Sequence, residues 1–457
     1  MTRLPTPELL APAGSLDAVR AALANGADAV YLGADRFNAR DEGAQLTLAE
    51  VGEACRLAHE RGRRIYLTFN ILLKPAELAQ ALTFLGEAID LGVDAAIVQD
   101  IGVVRLIQRI YPGFEIHGST QMTVHDESGA RVMKELGIER VVLARENTLD
   151  DIRAIRAAVP ELGLETFVHG ALCISYSGQC FMSGMISERS ANRGSCAQSC
   201  RKDYVLDDVT NHVELDRGYL ISAKDLAAHD HLAEIADAGV GCLKVEGRKK
   251  KPEYVATVTN GYRTFLDRLA EGDRTPPPPS DTEPLVQIYS RGNTGGMYGG
   301  RAGRSYITRE HPDNRGRELG VVLGHDVAAR ELIVQVSAPL MVGDGVGFEA
   351  PDSRGGAGVG FTVEAVRTLS RSDAGVRQAI ALPARSVVGD GWRVVRSSEA
   401  ALLARARASY ASQPADQRAP RTRLDVRLIG SAGGPLKAVF SADGETVTVR
   451  TDINLAP

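Results

Sequence analysis

The sequence predicts an α/β protein: a TIM-like (β/α)8 barrel followed by a smaller β-rich C-terminal region. Three observations carry this. Short apolar strands alternate with amphipathic helices seven times before residue 171, as in a parallel sheet. A further strand and helix follow a cysteine-rich interruption, which favours closure into eight strands over an open sheet. Beyond the run TPPPPS at 275–280 the texture changes to Val-rich segments punctuated by Gly and Asp.

Taken in order, ELLAP from Glu8 is the first strand, and SLDAVRAALANG is the first helix, with Ser15 as N-cap and Gly26 as its stop. ADAVYLG is the second strand. The helix over 48–61 has Thr47 as N-cap and Glu50 three residues on, as in a capping box. RRIYLTFN, AAIVQD, EIHGST, RVVLAR and LETFVHG are strands three to seven, separated by helices over 75–91, 101–110, 126–136 and 149–158. YLISAKD and GCLKVEG compete for the eighth. GCLKVEG is preferred because a closing helix over 252–269 follows it, and YLISAKD reads as an accessory strand on the cysteine insertion. The expected organisation is a barrel over 1–274 with an insertion at 171–217, a proline linker at 275–281, a β-barrel-like domain over 282–400, and a helix plus β-rich piece over 401–457.

A chain of 457 residues suits two or three domains, and 44% hydrophobic with 24% charged residues is the mix of a soluble globular protein. The net charge of -5 gives no global signature of nucleic-acid binding but leaves a local basic face open. The N-terminus lacks a signal-type apolar core, and no run approaches the ~18 apolar residues of a membrane span, so a cytoplasmic protein without membrane contact is expected. In a reducing cytosol, clustered cysteines are metal ligands or redox groups more often than disulfides.

Barrel enzymes carry their chemistry on the C-terminal strand ends. Those ends read Asn38 and Arg40, Asn70, Gln99 and Asp100, Ser119 and Gln121, Arg145 and Glu146, His169, then Lys244, Glu246 and Arg248. The consistency across strands predicts a polar pocket. Lys244 and Glu246, two apart on a strand, share a face and read as a buried salt bridge or a substrate clamp. The run RKKK at 248–251 reads as a contact to RNA backbone or as a solvated helix start. Cys55 and Cys242 read as small buried apolar residues.

Four of the six cysteines lie in one stretch, ETFVHGALCISYSGQCFMSGMISERSANRGSCAQSCRKDY. Cys173 and Cys180 are separated by six residues and Cys196 and Cys200 by three. This Gly-, Ser- and Arg-rich loop follows strand seven and so lies over the active rim. Four thiolates from one loop suit a metal centre, and the spacing leaves zinc and iron–sulfur both open. Neither pair is a C-x-x-C redox motif.

The cysteine stretch, the opening ELLAPAGSLDAVRAALANGADAVYLGADRFNAR and LKVEGRKKKPEYVATVTNGYR together resemble the collagenase-like peptidase family over most of residues 8–268. Within it, RSANRGSCAQSC, VVLARE and IVQDIG are most similar to the RNA 5-hydroxylation branch. The resemblance implies an iron–sulfur enzyme that hydroxylates C5 of a pyrimidine in rRNA or tRNA without dioxygen, with prephenate as co-substrate and RNA and the iron–sulfur assembly machinery as partners. It places a [4Fe-4S] cluster on Cys173, Cys180, Cys196 and Cys200, with zinc the alternative metal and Cys242 the substitute should one ligand come from elsewhere. It moves the choice of metal toward iron–sulfur. The expected catalytic set is Asn70, Gln121, Arg145, Glu146, His169, Lys244 and Glu246, and the expected substrate contacts are Asn38, Arg40, Arg193, Arg201 and Arg248. Peptidase activity is the second reading. With no G-x-S-x-G and no H-E-x-x-H, it would need a Cys–His dyad through His169. A zinc-stabilised RNA-binding or assembly factor is the third.

Overall fold

Strands that are buried on both faces need cover on both, and a barrel ringed by helices supplies it. The computed structural model describes residues 6–39, 45–300, 303–309, 312–351, 358–373, 375–384, 386–411, 423–442 and 444–456. In it β1 (Glu8–Ala13), α1 (Leu16–Ala24), β2 (Ala29–Leu32), α2 (Leu48–His59), β3 (Arg64–Phe69), α3 (Leu78–Asp90) and β4 (Ala95–Val98) follow one another. They continue through α4 (Ile101–Ile110), β5 (Glu115–Gly118), α5 (Glu127–Glu135), β6 (Arg140–Val142), α6 (Leu149–Ala158) and β7 (Gly163–Ala171). The cysteine insertion then carries α7 (Met182–Ser187), β8 (Tyr204–Asp208) and β9 (Val213–Ala223). After β10 (Asp225–Ala227) and α8 (Leu232–Asp237), β11 (Cys242–Val245) pairs in parallel with both β7 and β1 and closes the barrel. The eighth strand is therefore GCLKVEG. YLISAKD belongs to β9, which pairs antiparallel with β8, and to β10, which runs antiparallel to β7.

The caps read from the sequence form as expected. Ser15 Oγ accepts from the Ala18 N–H at 3.2 Å, and Thr47 and Glu50 exchange the bonds of a capping box. The barrel interior is packed by Leu10, Ala29, Tyr31, Tyr66, Ala95, Ile97 and Cys242, and a larger apolar layer lies between strands and helices.

The closing helix α9 (Pro252–Ala270) is followed by α10 (Pro279–Ile288). Residues 275–281 thus run straight into a helix, because proline fits a first helical turn, where its missing N–H has no partner to lose. The stretch is not a boundary between compact bodies: one unit takes in 1–59 with 63–413, and 414–457 belong to a second. β12 (Asn293–Thr294) adds to β10, and β13 (Ile307–Arg309) to β9.

Beyond these, β14 (Arg317–Asp326), β15 (Glu331–Val336), β16 (Gly345–Glu349), β17 (Val359–Thr362), β18 (Val366–Ser372), β19 (Gly375–Ala381) and β20 (Arg393–Ser398) form a seven-stranded antiparallel sheet with its own apolar core. Among the described residues its outer strands, β17 and β18, do not pair with each other, so the segment expected as barrel-like is a sheet. The helix α11 (Ala400–Ala411) ends this unit. The second unit holds the antiparallel sheet of β21 (Asp425–Ile429), β22 (Pro435–Ala442) and β23 (Glu445–Asn454). No helix among the described residues is long and apolar enough to cross a membrane.

Candidate active site

At the C-terminal strand ends a cavity of about 470 Å³ opens between the barrel and the cysteine insertion. Asn70, which follows β3, accepts the Ala39 N–H at 3.0 Å and donates to the Gln121 side chain at 3.0 Å. Gln121 stands on a single 3-10 turn after β5 and donates to the Asn192 carbonyl at 3.3 Å, tying rim to insertion. Arg248 is buried and donates to Asn38 Oδ1 at 3.1 Å and Thr68 Oγ1 at 2.6 Å, which fixes its fork in the wall. Arg145 lies over the Phe167 ring, 4.2 Å from its centroid, and donates to the Ala171 carbonyl at 3.0 Å. Arg201 donates to the Leu172 carbonyl at 3.0 Å, to Ser222 Oγ at 2.9 Å and to the Ala223 carbonyl.

These contacts hold the start of the cysteine loop. The Tyr306 hydroxyl adds a bond to the Cys173 carbonyl at 3.1 Å. Ser177 is gripped from three sides: its N–H and hydroxyl donate to Glu146, its Oγ accepts the Arg145 N–H at 3.1 Å, and its carbonyl accepts from Thr123 at 2.6 Å. Cys173, Cys180, Cys196 and Cys200 all line the cavity. Burial pushes the Cys200 thiol up; Arg201 opposes this and the other three thiols reinforce it. Among the described residues no three His, Cys, Asp or Glu side chains are gathered closely enough to hold a single ion as they stand. In number and chemistry the donors suit four-thiolate ligation, and a polynuclear cluster, larger than one ion, seats its ligands further apart.

Of the expected residues, Asn70, Gln121, Arg145, Lys244, Glu246, Arg201 and Arg248 meet on the cavity with the four cysteines. Others do not line it. Glu146 is turned to Ser177 and acts on the loop. Asn38 stands behind Arg248. Arg193 pairs with Glu77 at 2.8 Å and donates to the Leu72 carbonyl. His169 is buried against α9, 3.3 Å from the Tyr262 hydroxyl, and burial draws it down to about 4. It forms no dyad with the loop thiols, because its ring faces the helix layer. Arg40 lies outside the described residues.

Two readings from spacing are corrected. Lys244 and Glu246 do share a face, but the partner of Lys244 is Glu165 on the adjacent strand β7, at 2.8 Å. Cys242 is wholly buried, 3.4 Å from Glu8, and stands in register with Glu8 and Glu165 at the strand starts, the end away from the cysteine loop. It is not placed to substitute for a loop cysteine. The sequence reading also missed Tyr31, Tyr176, Lys250, Tyr289 and Arg291, which line the cavity. Lys250 was visible in RKKK, and Tyr176 in the cysteine loop. Tyr289 and Arg291 come from beyond the proline run, where no local signal points to the barrel mouth. Arg291 is fixed there by a buried pair with Asp225 at 2.5 Å.

The model of Peptidase family U32 matches residues 14–308. The 23S rRNA 5-hydroxycytidine C2501 synthase of Escherichia coli K12 is 38% identical over 346 residues, 74% of this chain and 52% of that protein, so the chain spans about half that relative's length. The tRNA hydroxylation protein P1 of Bacillus subtilis 168 is 34% identical over 76% of this chain and 84% of that protein. A protein named collagenase from Porphyromonas gingivalis W83 is 32% identical over 64% of this chain and 74% of its own.

Proposed function

The chain belongs to peptidase family U32, and from that premise we propose that it is an RNA-modifying enzyme that hydroxylates C5 of a pyrimidine in rRNA or tRNA, with a [4Fe-4S] cluster on Cys173, Cys180, Cys196 and Cys200. The names of the rRNA synthase and the tRNA hydroxylation protein support the substrate class. One observation carries the site: the four thiols share a single cavity with amide and guanidinium groups from several barrel strands.

Replacing C5–H by C5–OH adds one oxygen atom and removes two electrons, so a co-substrate has to supply the oxygen and accept the electrons, and a four-iron cluster, when bound, would supply one-electron transfer between base and co-substrate. The chain's own groups do the rest. A base has to leave its stack to enter the cavity. Asn70 and Gln121, already bonded to each other and to the backbone, present amide donors and acceptors for a base edge. Arg145, Arg201, Arg248 and Arg291 make a cationic wall, which suits an RNA phosphate and a dicarboxylate such as prephenate. The cysteine loop forms one side of the cavity.

The collagenase-named relative keeps a peptidase reading in view, but His169 faces Tyr262, away from the thiols. The test is twofold. Anaerobic purification should give a coloured protein with about four irons per chain, and a colourless protein with stoichiometric zinc would remove the cluster. Nucleoside mass spectrometry of rRNA and tRNA from a deletion strain should show a 5-hydroxypyrimidine missing. Unchanged levels in both RNAs would remove the hydroxylase.

A further inference from the structure

Lys250 is a cavity group for which base hydroxylation alone has no use. It stands between β11 and α9, its N–H bonded to the Gly247 carbonyl at 2.8 Å, beyond the C-terminal end of the eighth strand. Barrel enzymes place reacting side chains there. Its side chain is half-buried and lines the cavity. The amine lies over the Tyr289 ring, 2.8 Å from the centroid, with the Tyr254 ring centre at 5.7 Å. Lys244, on the same wall, is committed to Glu165. Among the described residues no carboxylate sits at ion-pair distance from Lys250.

Burial draws the Lys250 ammonium down to about 8; Glu246 and Asp225 oppose the shift, and Arg291 and Arg201 add to it. An amine that is partly desolvated beside other cations is the arrangement that makes lysine a nucleophile toward carbonyls. The guanidinium groups alongside suit a carboxylate. A 2-oxo acid offers a carbonyl and a carboxylate on adjacent carbons, and so matches both.

We propose that Lys250 forms a Schiff base with a 2-oxo acid whose carboxylate is held beside Arg201 and Arg291. The inference rests on the reading of this cavity as one that takes an anionic organic co-substrate. The amine nitrogen adds to the carbonyl carbon; the carbinolamine C–O bond then breaks, one water leaves, and a C=N bond stands. No electrons are exchanged. Both protons of the neutral amine leave with the carbonyl oxygen as that water, and Glu246 on the same cavity is a carboxylate able to carry them from nitrogen to oxygen in turn.

The test is reductive trapping. The full chain, purified anaerobically, is incubated with phenylpyruvate and cyanoborohydride and mapped by peptide mass spectrometry, while calorimetry follows phenylpyruvate binding without reductant. The expected result is one adduct per chain, on Lys250 in the wild-type map and absent from K250R. Binding without an adduct on Lys250, or an adduct that persists in K250R, overturns the Schiff base and leaves the anion reading standing. No binding overturns both. The wild-type map decides even where K250R fails to fold.

Discussion

Gly178 and Gln121 meet so closely that no side chain fits between them: a Cβ on Gly178 would lie 2.1 Å from the Gln121 carbonyl oxygen. Gly178 also stands at φ +73°, a backbone region that only glycine enters freely. The cysteine loop is thus seated on the turn after β5 by an absent methyl group, two residues before Cys180.

G178A should therefore unseat the loop while sparing the barrel. The strain, about 1–3 kcal/mol, is relieved by lifting Cys173 and Cys180 off the rim. The expected outcome is a melting temperature close to wild type with iron content and RNA hydroxylation sharply reduced. Full iron loading in G178A would show that the seat does not matter.

The barrel was legible because its strands are short, apolar and separated by capped helices, and because GCLKVEG is followed by a long amphipathic helix. The thiols were legible from their density alone. Partners on neighbouring strands were not: strand periodicity puts Lys244 and Glu246 on one face, but only the register of β11 against β7 brings Lys244 to Glu165. His169 failed for a related reason. The register shifts between Lys244 and Val245, so that Phe167 lines the cavity and His169, two residues on, is packed against α9. Tyr289 and Arg291 were hidden by a proline run that reads as a linker and in the structure opens a helix.

The Lys244–Glu165 pair makes an asymmetric prediction. Removing one member of a buried pair costs about 3–5 kcal/mol, since the other charge is left without compensation. K244M leaves Glu165 with Arg140 at 3.5 Å, whereas E165M leaves Lys244, among the described residues, with the Tyr31 and Phe167 rings, 4.3 and 5.5 Å from their centroids. Urea denaturation should show the larger loss for E165M. Equal losses would mean that Arg140 gives Glu165 no effective compensation.

His169 should imprint a pH dependence on stability. Burial holds its folded pKa near 4, below the ordinary 6.5. Its stabilising contribution is present above pH 6.5 and is lost as pH falls from 6.5 toward 4, because the unfolded chain takes up the proton first. The group accounts for about 3 kcal/mol across that window. H169N should be less stable than wild type at pH 7.5 and should lose less stability on acidification to pH 4.5. Parallel stability–pH curves for the two proteins would show that the histidine is not held neutral by the fold.

The ligand set is open to a direct contrast between the loop and the barrel interior. Cys242 begins β11, and three residue steps at ~3.3 Å put it roughly 10 Å below the strand end that faces the insertion. Its thiol lies instead among Glu8, Glu165, Arg140 and Lys244, and burial followed by the two carboxylates pushes it well up, away from the thiolate that ligation needs. The loop around Cys173 is fixed on the rim by Arg145, Arg201 and Tyr306 and through Ser177 on Glu146, bonds that involve no thiol. C173S, C180S, C196S and C200S should each fold with wild-type melting and purify with little iron. C242A should keep its iron and visible absorbance and lose only modest stability, on the order of 1 kcal/mol for a small buried side chain. Iron retained in C200S and lost in C242A would move the fourth ligand to the barrel interior and require the loop to reach past the cavity.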